Sequence, residues 1–145
     1  MDRDTRLPLT LPAALKFTRT VWSLTFISIL VFPAIAEKTG PASRHPSKGL
    51  FFAITLLAML VVVSWRVARA KYVREGARRL AEDLGDTRAL RRWQAGHILS
   101  FMTSEAVMLY GLILRYEGFS FADVVAFYIG GLILMLLSAP RVPRV

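Results

Sequence analysis

A chain of 145 residues with 54% hydrophobic residues and a mean hydropathy of +0.46 is more apolar than one soluble domain can hide. It contains no cysteine, which excludes disulfide frameworks, thiolate metal sites and thiol catalysis. The formal net charge of +9 comes from basic residues gathered in blocks between apolar runs. Its first reading is therefore membrane orientation and not nucleic acid, for which no motif is present.

Four apolar runs stand between those blocks, at residues 17–36, 49–65, 93–114 and 121–138. Each is close to the roughly 17–25 residues that a helix needs to cross the hydrocarbon core of a bilayer. None alternates as a barrel strand would, and in lipid a helix satisfies its backbone within its own segment. The expected fold is all-α: one polytopic membrane domain over residues 1–145, with four transmembrane helices in two antiparallel hairpins. Fifteen Lys and Arg residues fall in the N-terminal segment, the 66–92 connection and the C-terminus, against four (Lys38, Arg44, Lys48 and Arg115) in the other two connections. By the positive-inside rule both termini and the helical 66–92 loop are cytoplasmic. The expected location is a bacterial cytoplasmic membrane, crossed several times.

In chain order, residues 1–12 carry two prolines and mixed charge and read as an extended tail leading to a helix near Ala13. The first run, with basic residues before it, the apolar stretch 21–32 and the triplet Ala34-Ile35-Ala36, imitates a secretory signal peptide and its cleavage site. It is read as the first transmembrane helix, weakened toward its outer end by Pro33, which removes a backbone donor. The outer connection, 37–48, contains Gly40, Pro41 and Pro46 and is expected to be irregular. Its His45 reads as a solvated loop residue without metal-ligand neighbours, and no metal site is expected.

Beyond Trp65 the apolar run stops but the helical period persists. Val73, Ala77, Leu80, Ala81 and Leu84 recur at three- and four-residue spacing, while Glu75 can meet Arg79 and Arg78 can meet Glu82 one turn apart. The second helix is expected to project past the membrane until Gly85-Asp86 ends it, with Asp86 or Thr87 capping a helix that runs into the third span. The basic residues here (Arg66, Arg69, Lys71, Arg74, Arg78, Arg79, Arg91 and Arg92) read as a solvated surface that sets topology and touches anionic headgroups, or as a docking surface for a partner. The third and fourth spans form a tight hairpin across 115–120. Ser120 and Asp123 fit a capping box for the fourth helix, and Gly130-Gly131 marks a place where another helix backbone comes close.

The most informative position is Glu105, near the middle of the third span. An ionisable group at that depth costs a few kcal/mol or more, so it should face protein or water. At 100° per residue Gln94, His97, Ser104 and Glu105 share a face with Phe101, Met108 and Leu112, a polar stripe that runs inward from the cytoplasmic end. In one reading neutral Glu105 and Ser104 join helices, with His97 as a hydrogen-bonder; in the other Glu105 is a proton or cation site approached past His97 and Gln94. A third use, haem ligation by His97, would need an axial partner from another subunit.

The segment Glu105-Ala106-Val107-Met108-Leu109-Tyr110-Gly111-Leu112-Ile113 resembles the carboxylate helix of the proteolipid (c-type) subunits of rotary ATPases, in which an intramembrane Glu is followed by Leu-Tyr-Gly-Leu. The resemblance implies an ion-carrying carboxylate at Glu105, and ring packing by Tyr110 and Gly111. It is local, and it sits on the third span and not on the last helix of a hairpin.

No nucleophile elbow, Gly-rich phosphate loop, metal-binding His pair or paired carboxylates are visible, so no enzymatic activity is expected. Trp22, Trp65, Trp93, Phe119, Phe121 and Tyr128 are placed at headgroup level, or against pigments or quinones held by neighbours. The expected function is that of a small accessory subunit of a larger membrane complex, with membrane lipids and other membrane subunits as partners. The alternative is a proton- or cation-translocating protein. The sequence requires no cofactor; lipid, or a pigment, quinone or haem held with a partner, is compatible with it.

Overall fold

The computed structural model describes residues 10–40, 46–83 and 85–141, and every regular element among them is helical. In chain order these are α1 (Leu11–Thr39), α2 (Lys48–Ala68), a π-helical turn (Arg69–Arg74), α3 (Glu75–Glu82), α4 (Thr87–Tyr116) and α5 (Phe121–Leu137). Local chemistry sets their ends. Pro12 sits in the first turn of α1, where its missing N–H is no loss, so the helix starts at Leu11. Pro33 leaves α1 unbroken. The helix runs on to Thr39 and stops at Gly40, whose φ of 72° departs from the α-conformation while its N–H still bonds the Ala36 carbonyl at 3.0 Å. Asp86 caps α4, accepting from the amides of Arg88 and Ala89 at 2.9 and 3.0 Å. Ser120 and Asp123 close the capping box of α5, just after the turn at Gly118. His45 and Leu84 lie outside the described residues.

Three helices are long and apolar enough to cross a membrane: α1, the continuous rod from α2 through α3, and α4. The fourth, α5, is apolar and shorter, at 17 residues. They are arranged around α4, which touches every other helix; its most apolar stretch is 44% buried, against 11% in α1. The α4–α5 pair is the tight hairpin expected. The other expected hairpin is not formed, because α1 and α2 each pack on α4 and not on one another. The eight residues that connect them, 40–47, could extend over about 26 Å, so the chain does not force the two helices together.

The 66–92 stretch is helical to Glu82, with its basic side chains mostly exposed and an apolar face turned inward. After the break at 83–86 the N-terminal half of α4 runs back along the rod, and Ala14, Val73, Leu80, Ala89, Leu90 and Trp93 bury together there in a second apolar core. The main core, built on Phe101, Met108, Leu114, Val124, Phe127 and Met135, fills the space between α4, α5 and the flanking helices. Trp93 is only 1% exposed, and Trp65 and Tyr128 are buried as well, so these aromatics pack inside the protein; Phe121 stays outside.

The rod departs from α-geometry once. Its buried residues Trp65, Ala68, Val73, Gly76 and Leu80 step by three, five, three and four positions. A five-residue step is one more than an α-turn holds on one face, and the π-helical turn absorbs the extra residue.

Candidate functional site

Glu105 is half-buried in the middle of α4, on the side that meets α1. Ser28 Oγ of α1 stands 2.8 Å from Glu105 Oε1 and also 2.8 Å from the Thr25 carbonyl oxygen of its own helix. The expected polar stripe splits here. Ser104 is fully buried and its hydroxyl donates to the Ser100 carbonyl at 2.7 Å, within α4. Consecutive helical residues diverge by about 100°, so Ser104 turns toward α5 while Glu105 turns toward α1. His97 lies about 12 Å away along the helix axis, and Gln94, half-buried, is farther still. These four residues do not form one site.

His97 belongs to a separate network at the end of α5. Its Nδ1 lies 3.3 Å from the Ser138 carbonyl oxygen, which can only accept, so Nδ1 carries the proton. The ring is held between Trp93 and Phe101, with centroids 4.6 and 5.9 Å away. Trp65 Nε1 donates to Ser138 Oγ at 3.0 Å, and Ser138 Oγ donates to the Leu134 carbonyl at 2.7 Å. Trp22 Nε1 donates to the Met135 carbonyl at 3.1 Å. Each of α1, α2 and α4 thus sends one side chain to the C-terminal end of α5. The sequence carried no signal of this set, since the partners are 41, 73 and 113 residues apart.

Glycines fix how closely the helices approach. A Cβ at Gly111 would lie 2.8 Å from Tyr128 Cε1, and one at Gly131 would lie 2.9 Å from Met108 Cβ and from the Ser104 carbonyl oxygen. Gly130 stands apart from that contact, with only Val107 Cγ1 near, at 3.7 Å. Two glycines not singled out in the sequence are as tightly placed: Gly96 admits Tyr72 and Val73, and Gly76 admits Trp93. Gly96, Ser100 and Ser104 recur at four-residue spacing, a small-residue ridge that was legible as such.

At the end of the bundle opposite the arginine-rich one, Arg115 donates through Nε to Glu37 at 2.9 Å and through Nη1 to the Phe119 carbonyl at 3.1 Å, tying α1 to α4. Glu37 reads from sequence as a loop carboxylate. At the basic end, Arg78 and Arg79 both bond Glu75, at 3.1 and 3.0 Å, so Arg78 takes Glu75 and not Glu82. Arg66, Lys71, Arg74, Arg91 and Arg92 are exposed, while Arg69 is half-buried with its guanidinium 5.2 Å from the centre of the Trp65 ring. Arg66, Arg69 and Arg74 border a cavity of about 370 Å³. Among the described residues no three His, Asp or Glu side chains are grouped as metal ligands.

Fold and site together define an all-helical protein with three helices long and apolar enough for a membrane, the central one of which, α4, bears a mid-helix carboxyl group. No protein family, curated protein or solved structure matches the chain.

Proposed function

We propose that this protein is a multi-pass membrane protein whose four helices all cross the bilayer, with the basic end cytoplasmic, and that it serves as a helical accessory subunit of a larger membrane complex. In this reading Glu105 is a packing residue. The observation that carries it is the Ser28–Glu105 contact, which spends the carboxyl group on a neighbouring helix. Ser28 has one hydroxyl proton and two oxygen neighbours at 2.8 Å, and the Thr25 carbonyl can only accept. The hydroxyl therefore shares its proton between the Glu105 carboxyl group and the Thr25 carbonyl, which ties α1 to α4. The filled interior supports the same role: Phe101, Met108, Met135, Ser100 and Ser104 are essentially inaccessible. The side chains of α1 and α2 that point outward, such as Leu24, Ile27, Leu56 and Leu60, are half exposed or more, a surface that suits lipid or other membrane helices.

The test compares two substitutions. Glu105→Gln keeps shape and hydrogen-bonding capacity and should leave assembly and thermal stability nearly unchanged. Glu105→Leu removes the bond between α1 and α4, leaves Ser28 only its own-helix partner at Thr25, and should cost about 0.5–1.5 kcal/mol, read as weaker assembly after solubilisation. Native mass spectrometry of the gently solubilised protein reads the assembly. An assembled Glu105→Gln protein that has lost a proton or cation flux measurable in wild-type vesicles would replace the packing role with the translocating one.

A further inference from the structure

We infer that the cavity bordered by Trp65, Arg66, Arg69, Ala70, Arg74 and Leu137 binds the phosphate of an anionic phospholipid, with Arg69 as its central ligand. The inference rests on the membrane-spanning reading above, which puts this end of α2 and α5 at headgroup depth.

The first observation is an unpartnered donor. Arg69 Nη1 is buried and has no hydrogen-bond partner among the described residues, and among those residues the charges that bear on the guanidinium are those of Arg74 and Arg141, both of its own sign. The neighbouring Arg78 and Arg79 are different, because Glu75 satisfies both. Two like charges beside one half-buried guanidinium repel it until an anion joins them. A phosphate oxygen offers what is missing, since the planar fork of Arg binds phosphate through charge-assisted hydrogen bonds.

The second observation is the backbone that assembles the site. Five positions apart on an α-helix, Arg69 and Arg74 would point about 140° from each other. The π-helical turn spans these two residues and swings them toward one side, so that both line the cavity. Trp65 lies beneath Arg69 and is itself fixed by its bond to Ser138, which orients the guanidinium. The third observation selects a lipid over free phosphate. Leu137, on the cavity wall, is 57% exposed, and Val63 and Val67 of α2 and Ile133 of α5 are at least half exposed, leaving apolar surface for acyl chains on the two helices that flank the site.

The full chain, purified in mild detergent with phosphatidylglycerol and phosphatidylcholine at equal concentration, should retain one phosphatidylglycerol per chain in native mass spectrometry. Arg69→Gln combined with Arg74→Gln should weaken that retention at least about tenfold, as expected for two lost charge-assisted hydrogen bonds. Arg91→Gln combined with Arg92→Gln removes equal charge elsewhere and should not. Arg69→Lys, which keeps the charge but not the fork, should retain less than wild type, and it serves as the decisive variant if the double substitution lowers helix content by circular dichroism. Equal losses in the two double variants would overturn the site in favour of diffuse electrostatics. Displacement of the lipid by inorganic phosphate at matched concentration would overturn the choice of a lipid. Flotation with phosphatidylcholine vesicles tests insertion separately: failure by wild type sinks the membrane-spanning reading, whereas flotation of every variant with equal phosphatidylglycerol retention sinks the site alone.

Discussion

Adjacent glycines in α5 give opposite expectations at the scale of single residues. At Gly131 an added methyl would press on Met108 and on the Ser104 backbone, which cannot yield like a flexible side chain, whereas at Gly130 it would make an ordinary contact. Gly131→Ala should therefore destabilise by about 1–3 kcal/mol through forced separation of α4 and α5. Gly130→Ala should be neutral or stabilise by up to about 1 kcal/mol, because alanine gains helix propensity at no steric cost. Thermal unfolding of the two variants in the same detergent measures the difference, and equal midpoints would refute this account of the α4–α5 contact. The sequence pointed to both glycines alike. Which of two neighbours faces a helix depends on rotation about the axis, and that rotation is fixed by partners far away in the chain.

At the scale of elements, α4 begins on Asp86, whose carboxylate is held below the ordinary aspartate range, chiefly by the amide of Ala89 and also by that of Arg88. Because the folded-state value is depressed, the stabilising effect of the cap is fully present above the ordinary range and is lost as pH falls through the folded value. Amide protection at Arg88 and Ala89, corrected for intrinsic exchange, should fall with acidification, and Asp86→Asn should abolish that dependence. A pH-independent protection in wild type would show that the cap bond is not what holds this end. The cap was legible from residue type alone, as was the Ser120–Asp123 box, because both act within one turn of chain. The π-helical turn was not read from the sequence. Its trace is present as the five-residue step from Ala68 to Val73, but the step is visible only once the buried positions are known, since Ala70, Tyr72 and Ala77 could equally have continued an α-pattern.

At the scale of the molecule, α4 is the axis around which the rest is arranged, and the two larger apolar cores sit at different heights on it. Topology is open to a direct test because the chain has no cysteine. Cysteines placed singly at Glu117 and at Thr87, exposed positions at opposite ends of α4, should react with an impermeant thiol reagent from opposite faces of the membrane. Reaction of Thr87→Cys from outside intact cells would invert the proposed orientation, and reaction of both from one face would show that α4 does not cross.

The sequence by itself determined the helical class, the apolar segments and the caps, because run length, composition and nearest-neighbour hydrogen bonds are local and act before any packing. It also drew attention to Glu105, since a carboxyl group amid apolar residues is conspicuous without coordinates. Only the tertiary structure decided that α1 and α2 pack separately on α4, that Trp65 and Trp93 are interior, and that Glu105 meets Ser28 while Ser104 and His97 face α5. Each of these depends on which face of one helix meets which face of another. Such choices are made by shape and by polar groups in need of partners across long stretches of chain, and residue order alone does not encode them legibly.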